Sequence, residues 1–238
     1  FLPKWGLVKV FGLKNINVTV VSSSITKKAD GYYLIVLVKK EKTNTNNREN
    51  QSVVGIDLGL KYLYVTSNGE FVENPRFSEK HKSKMRVLLR SMSRKSKGSI
   101  RYKKQKHKVA LLYLKISNKR KDFLHKQSSI LAKEFDYIIA EDLKIKNLVK
   151  NSKLTNSLHD TSLGAFVEML KYKTNVVFVN PRYTSQECSI CGFTSSKNRT
   201  TQELFKCISC GHTDNADLDA AKIILKRGQA LISGKVIH

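Results

Sequence analysis

Acidic residues are scarce in this 238-residue chain. Asp and Glu number 19 against 44 Lys and Arg, for a formal net charge of +25. Between His81 and Lys126 there is a single acid, Asp122. A face that only keeps a protein soluble mixes both signs, so this excess points instead to a polyanionic partner, nucleic acid. Long apolar runs, lipidation motifs and a signal-peptide pattern are also lacking, which counts against a membrane surface as that partner. At 40% hydrophobic, the chain has enough apolar material for a sizeable core, and a disordered basic tail is excluded.

Cysteine is sparse too, but what there is has a pattern. The only four are Cys188, Cys191, Cys207 and Cys210, two Cys-x-x-Cys pairs. Each pair puts two thiols on one tight turn, and the stretch from Gly192 to Lys206 is long enough to fold back and bring the turns together. Four thiolates then surround one Zn²⁺ tetrahedrally. Gly192 and Gly211 follow the second cysteine of each pair, where a knuckle turn calls for positive φ. Two disulfides are the competing arrangement. Adjacent pairs in a basic chain of this kind suggest a reducing compartment and favour the metal.

The basic stretch reads as helical. Met85, Leu88, Leu89 and Met92 recur at helix spacing, as do Val109, Leu112, Tyr113, Ile116, Phe123, Leu124 and Gln127, with Arg120 interrupting the second series. Ser96-Lys97-Gly98-Ser99 is a turn between them. The expectation is a helical hairpin with apolar seams and basic outer faces. Arg86, Arg90, Arg94, Lys97, Arg101 and Lys104 are the candidate phosphate contacts. A self-associating coiled coil would interleave Glu with these cations, and Glu is missing here.

Strands flank this insertion. Val8–Val10, Ile16–Val21 and Tyr32–Lys39 suggest a small antiparallel module, with a polar linker from Lys40 to Gln51. Val53 to Asp57 is a short apolar strand ending on an acid. Tyr62–Thr66 follows, then the hairpin signal Ser67-Asn68-Gly69 and Phe71-Val72. Tyr137–Ala140 is a buried strand that also ends on an acid, Glu141. A helix is expected over Leu163–Lys173, a strand over Val176–Val179, and a last helix over Asp217–Lys226. In an open α/β sheet the ends of neighbouring strands meet at one edge. Asp57, Glu141 and Asp217 gathered there would form a hard-oxygen site for two Mg²⁺ or Mn²⁺ ions. An acid at a strand end is also simply where a chain meets water, and periodicity alone leaves both readings open.

The wording of the sequence is more specific. Gly55-Ile56-Asp57-Leu58-Gly59-Leu60, continuing Lys61-Tyr62-Leu63, resembles the first RuvC motif of the TnpB (OrfB) proteins of bacterial and archaeal insertion sequences, relatives of type V CRISPR effector nucleases. Glu141-Asp142-Leu143 with Lys146-Asn147-Leu148 is similar to the second motif. Asn180-Pro181-Arg182-Tyr183-Thr184-Ser185-Gln186-Glu187-Cys188 resembles the lead into the family's zinc-binding insert. Asn215-Ala216-Asp217-Leu218-Asp219-Ala220-Ala221 stands where the third motif belongs.

The resemblance implies an α/β, RNase H-like (RuvC-like) fold. Its mixed sheet would carry a basic helical insertion, a C-terminal zinc ribbon insert and a partial N-terminal β-barrel. The corresponding divisions are 1–50 for the barrel segment, 51–182 for the nuclease core with the basic hairpin at about 81–135, 183–213 for the ribbon, and 214–238 for the last motif and helix. It implies Asp57, Glu141 and Asp217 as magnesium-binding catalytic acids, with Asp214 as the rival for the third place. It also implies DNA as target, a guide RNA in the full-length form, and a cytoplasmic, nucleoid-associated setting. Three departures from the family pattern stand out. Pro3-Lys4-Trp5-Gly6 resembles the interior of the barrel, so the chain reads as N-terminally truncated. Asp219 takes the place of a usual Asn, which would add a carboxylate near the metals, and Ile223 occupies a position often held by Asn. The connection Lys171–Asn175 is short. The two function classes that follow are a metal-dependent endonuclease and a catalytically inactive nucleic-acid-binding remnant or repressor.

Overall fold

The computed structural model describes residues 9–12, 19–39, 51–143 and 160–234. Its strands are β1 (Thr19–Lys28), β2 (Gly31–Lys39), β3 (Val53–Leu58), β4 (Tyr62–Thr66), β5 (Phe71–Glu73), β6 (Tyr137–Glu141), β7 (Asn175–Val179), β8 (Leu204–Lys206) and β9 (Thr213–Asn215). Its helices are α1 (Phe77–Lys80), α2 (Lys82–Ser93), α3 (Ile100–Glu134), α4 (Leu163–Lys171) and α5 (Ala216–Gly234). The chain divides into two compact units, Phe1–Asn47 with Ser83–Ser117, and Arg48–Lys82 with Asn118–His238.

In the first unit, β1 and β2 pair antiparallel from Thr19↔Lys39 to Lys28↔Gly31. This hairpin is what the described residues contain of the expected barrel segment. β1 runs seven residues past the expected end at Val21, through Ser22-Ser23-Ser24, because pairing with β2 overrides the weak strand preference of serine. Lys9 and Val10 are not in a strand. Val8, residues 16–18 and the linker at 40–50 lie outside the described residues.

The basic segment forms the two expected helices. The buried Gln105 of α3 donates to the Leu88 carbonyl of α2 at 3.2 Å, and Ser99 Oγ caps α3 by accepting from Tyr102 N–H at 3.1 Å. Val109, Leu112 and Ile116 form a buried seam, whereas Tyr113 and Leu89, expected within the seams, are exposed.

The second unit is built on a mixed sheet of order β5-β4-β3-β6-β7. β3, β6 and β7 are parallel, and β4 and β5 are added antiparallel through hairpins. The apolar runs of β3, β4 and β6 are buried on both faces, as central strands are. Tyr64 anchors the core, stacked on Phe166 of α4 at 5.6 Å and donating its hydroxyl to Gln127 of α3 at 2.9 Å. Gln127 thus meets the core through a hydrogen bond.

The second series of apolar positions belongs to a single 35-residue helix, which passes Arg120 without a break. Arg120 pairs with the buried Asp160 at 2.6 Å, so the apparent interruption is a long-range ion pair. The short connection after α4 also fits. Leu170 O accepts from Lys173 N–H at 2.9 Å and Thr174 N–H at 3.0 Å, and β7 enters its register on β6 directly.

Candidate functional site

Register brings the first two acids together. β3 and β6 run parallel with Ile56 opposite Ala140, so the next residues, Asp57 and Glu141, stand level on the same face. Gly55 shares that face, two residues earlier. A Cβ on Gly55 would meet Ala221 O at 2.4 Å and Leu225 N at 2.6 Å, so only glycine lets α5 lie this close to β3. Asp217 is one helical turn before Ala221. One turn advances about 5.4 Å, close to the two-residue strand step of about 6.6 Å that separates Gly55 from Asp57. The spacing suits an acid on α5 to the acid on β3. Asn215 caps the helix, its Oδ1 accepting from Asp217 N–H at 3.0 Å and Leu218 N–H at 3.3 Å. Asp217 therefore sits in the first turn, where the helix dipole favours a carboxylate.

Asp57, Glu141 and Asp217 line one open cleft of about 400 Å³, with Lys61, Thr184, Arg199 and Gln202 also on its walls. Burial, then repulsion from Glu141 and Asp217, pushes the Asp57 carboxyl well above its ordinary range. Burial also raises Glu141, opposed by the Thr184 hydroxyl that donates to its Oε1 and by the charge of Arg227. Burial raises Asp217, opposed by Arg199, whose guanidinium lies 3.2 Å from Asp217 Oδ1. Three partly buried carboxylates, with Arg199 the one cation in direct contact among the described residues and Arg227 and Lys61 acting from farther off, leave burial the dominant influence on each. That penalty on the charged forms, and the all-oxygen donor set, fit a hard divalent cation.

The rival acid faces elsewhere. Asp214 pairs with Lys222 at 2.6 Å; burial would raise its carboxyl, but the Lys222 hydrogen bond, the Asn215 N–H and the charge of Lys222 together hold it below the usual range. Asp219, expected near the metals, does not line the cleft. It is fully buried against the cysteine turns, where its Oδ1 accepts from Ser189 N–H at 3.3 Å and from the Ser189 hydroxyl. Positions two apart on a helix point about 200° apart, which separates Asp217 from Asp219. Ile223 is a fully buried core residue.

The four cysteines converge. Cys188 Sγ lies 3.7 Å from Cys210 Sγ and Cys191 Sγ 3.6 Å from Cys207 Sγ, and all four sulfurs fall within 4.8 Å of one another. No pair is bonded as a disulfide. Tetrahedral bonds of about 2.3 Å give sulfur separations of about 3.7 Å, so the cluster fits a zinc ion. Both turns repeat one pattern, with Gly192 N–H to Cys188 O at 2.9 Å and Gly211 N–H to Cys207 O at 3.0 Å, and both glycines take the left-handed φ expected of them, 75° and 77°.

Arg86, Arg90, Arg94, Lys97, Arg101 and Lys104 are all exposed on α2, α3 and the turn between them. None is in an ion pair among the described residues.

Known proteins share long stretches of this sequence. The family described as "Probable transposase" (OrfB, IS605) matches residues 35–152, and the Cas12f1-like TNB domain family matches residues 164–224. The chain is 32% identical over 253 residues to "Putative RNA-guided DNA endonuclease InsQ" of Escherichia coli K12, across 98% of the chain and 63% of that relative. This chain belongs to the TnpB/IS605 family.

A second relative, "Putative RNA-guided DNA endonuclease" of Streptomyces pristinaespiralis, is 34% identical over 196 residues, covering 80% of the chain and 48% of that protein. The chain thus spans about half to two thirds of the length of these relatives. Among solved structures, the Cas12f1-sgRNA-target DNA complex matches with a TM-score of 0.52 at 18% identity, over 84% of this chain and 55% of that one, a likeness of mixed α/β fold. Sequence reasoning missed three residues of this TnpB-family site. Thr184 and Arg199 reach the cleft acids only in the fold. Asn198, fully buried, ties the cysteine turns together through Gln186 O at 2.9 Å, Phe193 O at 3.1 Å and Ile208 N–H at 3.1 Å. Their polar side chains carry no periodic signal.

Proposed function

We propose that this chain is the catalytic part of a TnpB-type, metal-dependent DNA endonuclease, guided by RNA in its full-length form. Its core is RNase H-like (RuvC-like), and its C-terminal insert is a zinc ribbon held by Cys188, Cys191, Cys207 and Cys210. The observation that carries this reading is the cleft shared by Asp57, Glu141 and Asp217. Mg²⁺ or Mn²⁺ ions, when bound by these three, supply the positive charge that a phosphodiester needs at its attacking and leaving oxygens.

The protein's own groups have separate tasks. Asp57 and Glu141 are fixed by strand pairing and Asp217 by the Asn215 cap, so their positions precede any ligand. Thr184 fixes the orientation of Glu141 through its hydroxyl. Arg199 balances the charge of Asp217. The exposed cations of α2 and α3 hold phosphates without reading bases. A protein that only occupies DNA gains nothing from three carboxylates drawn into one cleft, where burial opposes the charge of each. Their presence favours the nuclease over the inactive binder.

The test is cleavage of a matched DNA duplex by the natural full-length protein with its guide RNA, in Mg²⁺ or Mn²⁺. Asp57→Ala and Glu141→Ala each lower the rate by about a thousandfold or more and leave DNA binding within a few-fold of the parent. Parental rates in both variants would refute the assignment.

A further inference from the structure

We propose that Asp219 is a positioning residue that latches the first turn of α5 to both cysteine knuckles and so couples the zinc ribbon to the carboxylate cleft. The proposal rests on the reading of these two sites as metal centres. Asp219 is fully buried. Its Oδ1 accepts two hydrogen bonds from Ser189, one from the backbone N–H at 3.3 Å and one from the hydroxyl. Ser189 follows Cys188 in the first knuckle. His212 Nε2 lies 3.4 Å from the same carboxylate oxygen. His212 belongs to the second knuckle, where its carbonyl accepts from Cys207 N–H at 2.8 Å. One carboxylate therefore touches both turns that hold sulfur.

The same helical turn carries Asp217 toward the cleft. Asp217 and Asp219 point to opposite sides of α5, one to the carboxylate site and one to the ribbon. A second strap reinforces the joint, with Ala216 N–H donating to Glu203 O in the ribbon at 2.9 Å. Movement of either knuckle must then shift the turn that carries Asp217. Loss of sulfur ligation would reach the cleft acids by this route.

His212, Asp214 and Asp219 also bring three donor atoms within 4.8 Å of one another, so a further cation site is the competing reading. Asp214 is already engaged at both oxygens, with Asn215 N–H at 2.8 Å and Lys222 Nζ at 2.6 Å. Only Asp219 Oδ2 and His212 Nε2 are buried there without a hydrogen-bond partner. Two donors make a poor cage, whereas the two Ser189 hydrogen bonds, with His212 packed 3.4 Å from the same oxygen, make a joint. The joint requires an acceptor oxygen at position 219 and no particular charge. Asparagine keeps that oxygen and alanine does not.

The experiment measures two quantities on this chain for the parent, Asp219→Ala, Asp219→Asn and Ser189→Ala. Mn²⁺ affinity is read from the electron paramagnetic resonance of free Mn²⁺, and zinc release from a chromogenic chelator. Asp219→Ala weakens Mn²⁺ binding about tenfold and speeds zinc release, and Asp219→Asn restores both to within about threefold of the parent. Ser189→Ala, which leaves the carboxylate in place, gives intermediate values for both. Parental Mn²⁺ affinity in Asp219→Ala overturns the latch. Two zinc ions per parent chain, the second lost in Asp219→Ala, would assign a cation site and also overturn it. A parent that binds no Mn²⁺ defeats the carboxylate-centre reading and this coupling together. That outcome differs from failure of the latch alone, in which the parent binds Mn²⁺ and the alanine variant binds it equally well.

Discussion

Asp57 and Glu141 stand level on adjacent parallel strands, one step beyond the Ile56–Ala140 pair. Two like charges are thereby held side by side at the ends of central strands, and burial, then the Glu141 charge, makes Asp57 harder to ionise. A divalent cation reverses the sign of the interaction, turning mutual repulsion into shared ligation.

Arg199 competes for that role. Its guanidinium favours the charged forms of Asp217 and Asp57 and lies 3.2 Å from Asp217. Arg199→Ala removes a cation from the cleft. Mn²⁺ binding to the chain without nucleic acid then tightens by about threefold or more, while cleavage by the full-length complex falls by about tenfold or more. Isothermal titration and single-turnover cleavage check the two halves. Weaker Mn²⁺ binding in the variant would show that Arg199 organises the carboxylates instead of competing with the ion.

Gly55 sets the distance between α5 and β3. A methyl group there meets the backbone of Ala221 and Leu225, which cannot move without displacing the helix, and one at Gly228 meets side-chain carbons of the fully buried Ile139 at 2.3 Å. Gly55→Ala and Gly228→Ala each destabilise by about 3 kcal/mol, but only Gly55→Ala also weakens Mn²⁺ binding, because it shifts the helix that carries Asp217. For a chain of this size each kcal/mol lowers Tm by about 2–4 °C, so thermal melts record both losses and Mn²⁺ titration tells the two variants apart.

Asp160 controls an acid transition. Burial alone would raise its carboxyl, but hydrogen bonds from Ser78 and Arg120 outweigh this and hold it below the ordinary carboxylate range. A carboxyl depressed in the folded state adds stability above its unfolded pKa, and the contribution is lost as pH falls through the folded value. Asp160→Asn therefore lowers stability at neutral pH by about 1–3 kcal/mol. The gap from the parent closes in acid, as urea melts along a pH series will record.

The proposed role of the basic helices, phosphate neutralisation, predicts a salt dependence. Replacing Arg86, Arg90 and Arg94 by Glu reduces the steepness of the log affinity against log salt plot by about 0.9 for each duplex phosphate that is no longer neutralised. Affinity falls about equally for unrelated sequences. An unchanged slope in fluorescence anisotropy titrations would place the nucleic acid on another surface.

The sheet was legible in the sequence because its central strands are buried on both faces and so read as short apolar runs. Asp57 and Glu141 were legible because each ends such a run, and the cysteines because Cys-x-x-Cys spacing is local. What escaped depends on partners distant in sequence. Arg120 looked like a break in a helix because Asp160, which pairs with it, lies 40 residues away. Strand β1 extends through three serines because β2 supplies the pairing. Asp219 was expected beside the cleft acids, yet helix phase turns it to Ser189 and His212. Thr184 and Arg199 reach the acids from the loop after β7 and from the ribbon, and no local pattern marks either.

The two nearby aspartates decide the central claim. Asp217 lines the cleft with Asp57 and Glu141, whereas Asp214 is held by Lys222. The measurement is guide-directed cleavage of duplex DNA in Mg²⁺ by the full-length protein carrying Asp217→Ala or Asp214→Ala. The prediction is a loss of about a thousandfold or more for Asp217→Ala with DNA binding retained, and a rate within a few-fold of the parent for Asp214→Ala. Cleavage at the parental rate by Asp217→Ala would contradict it.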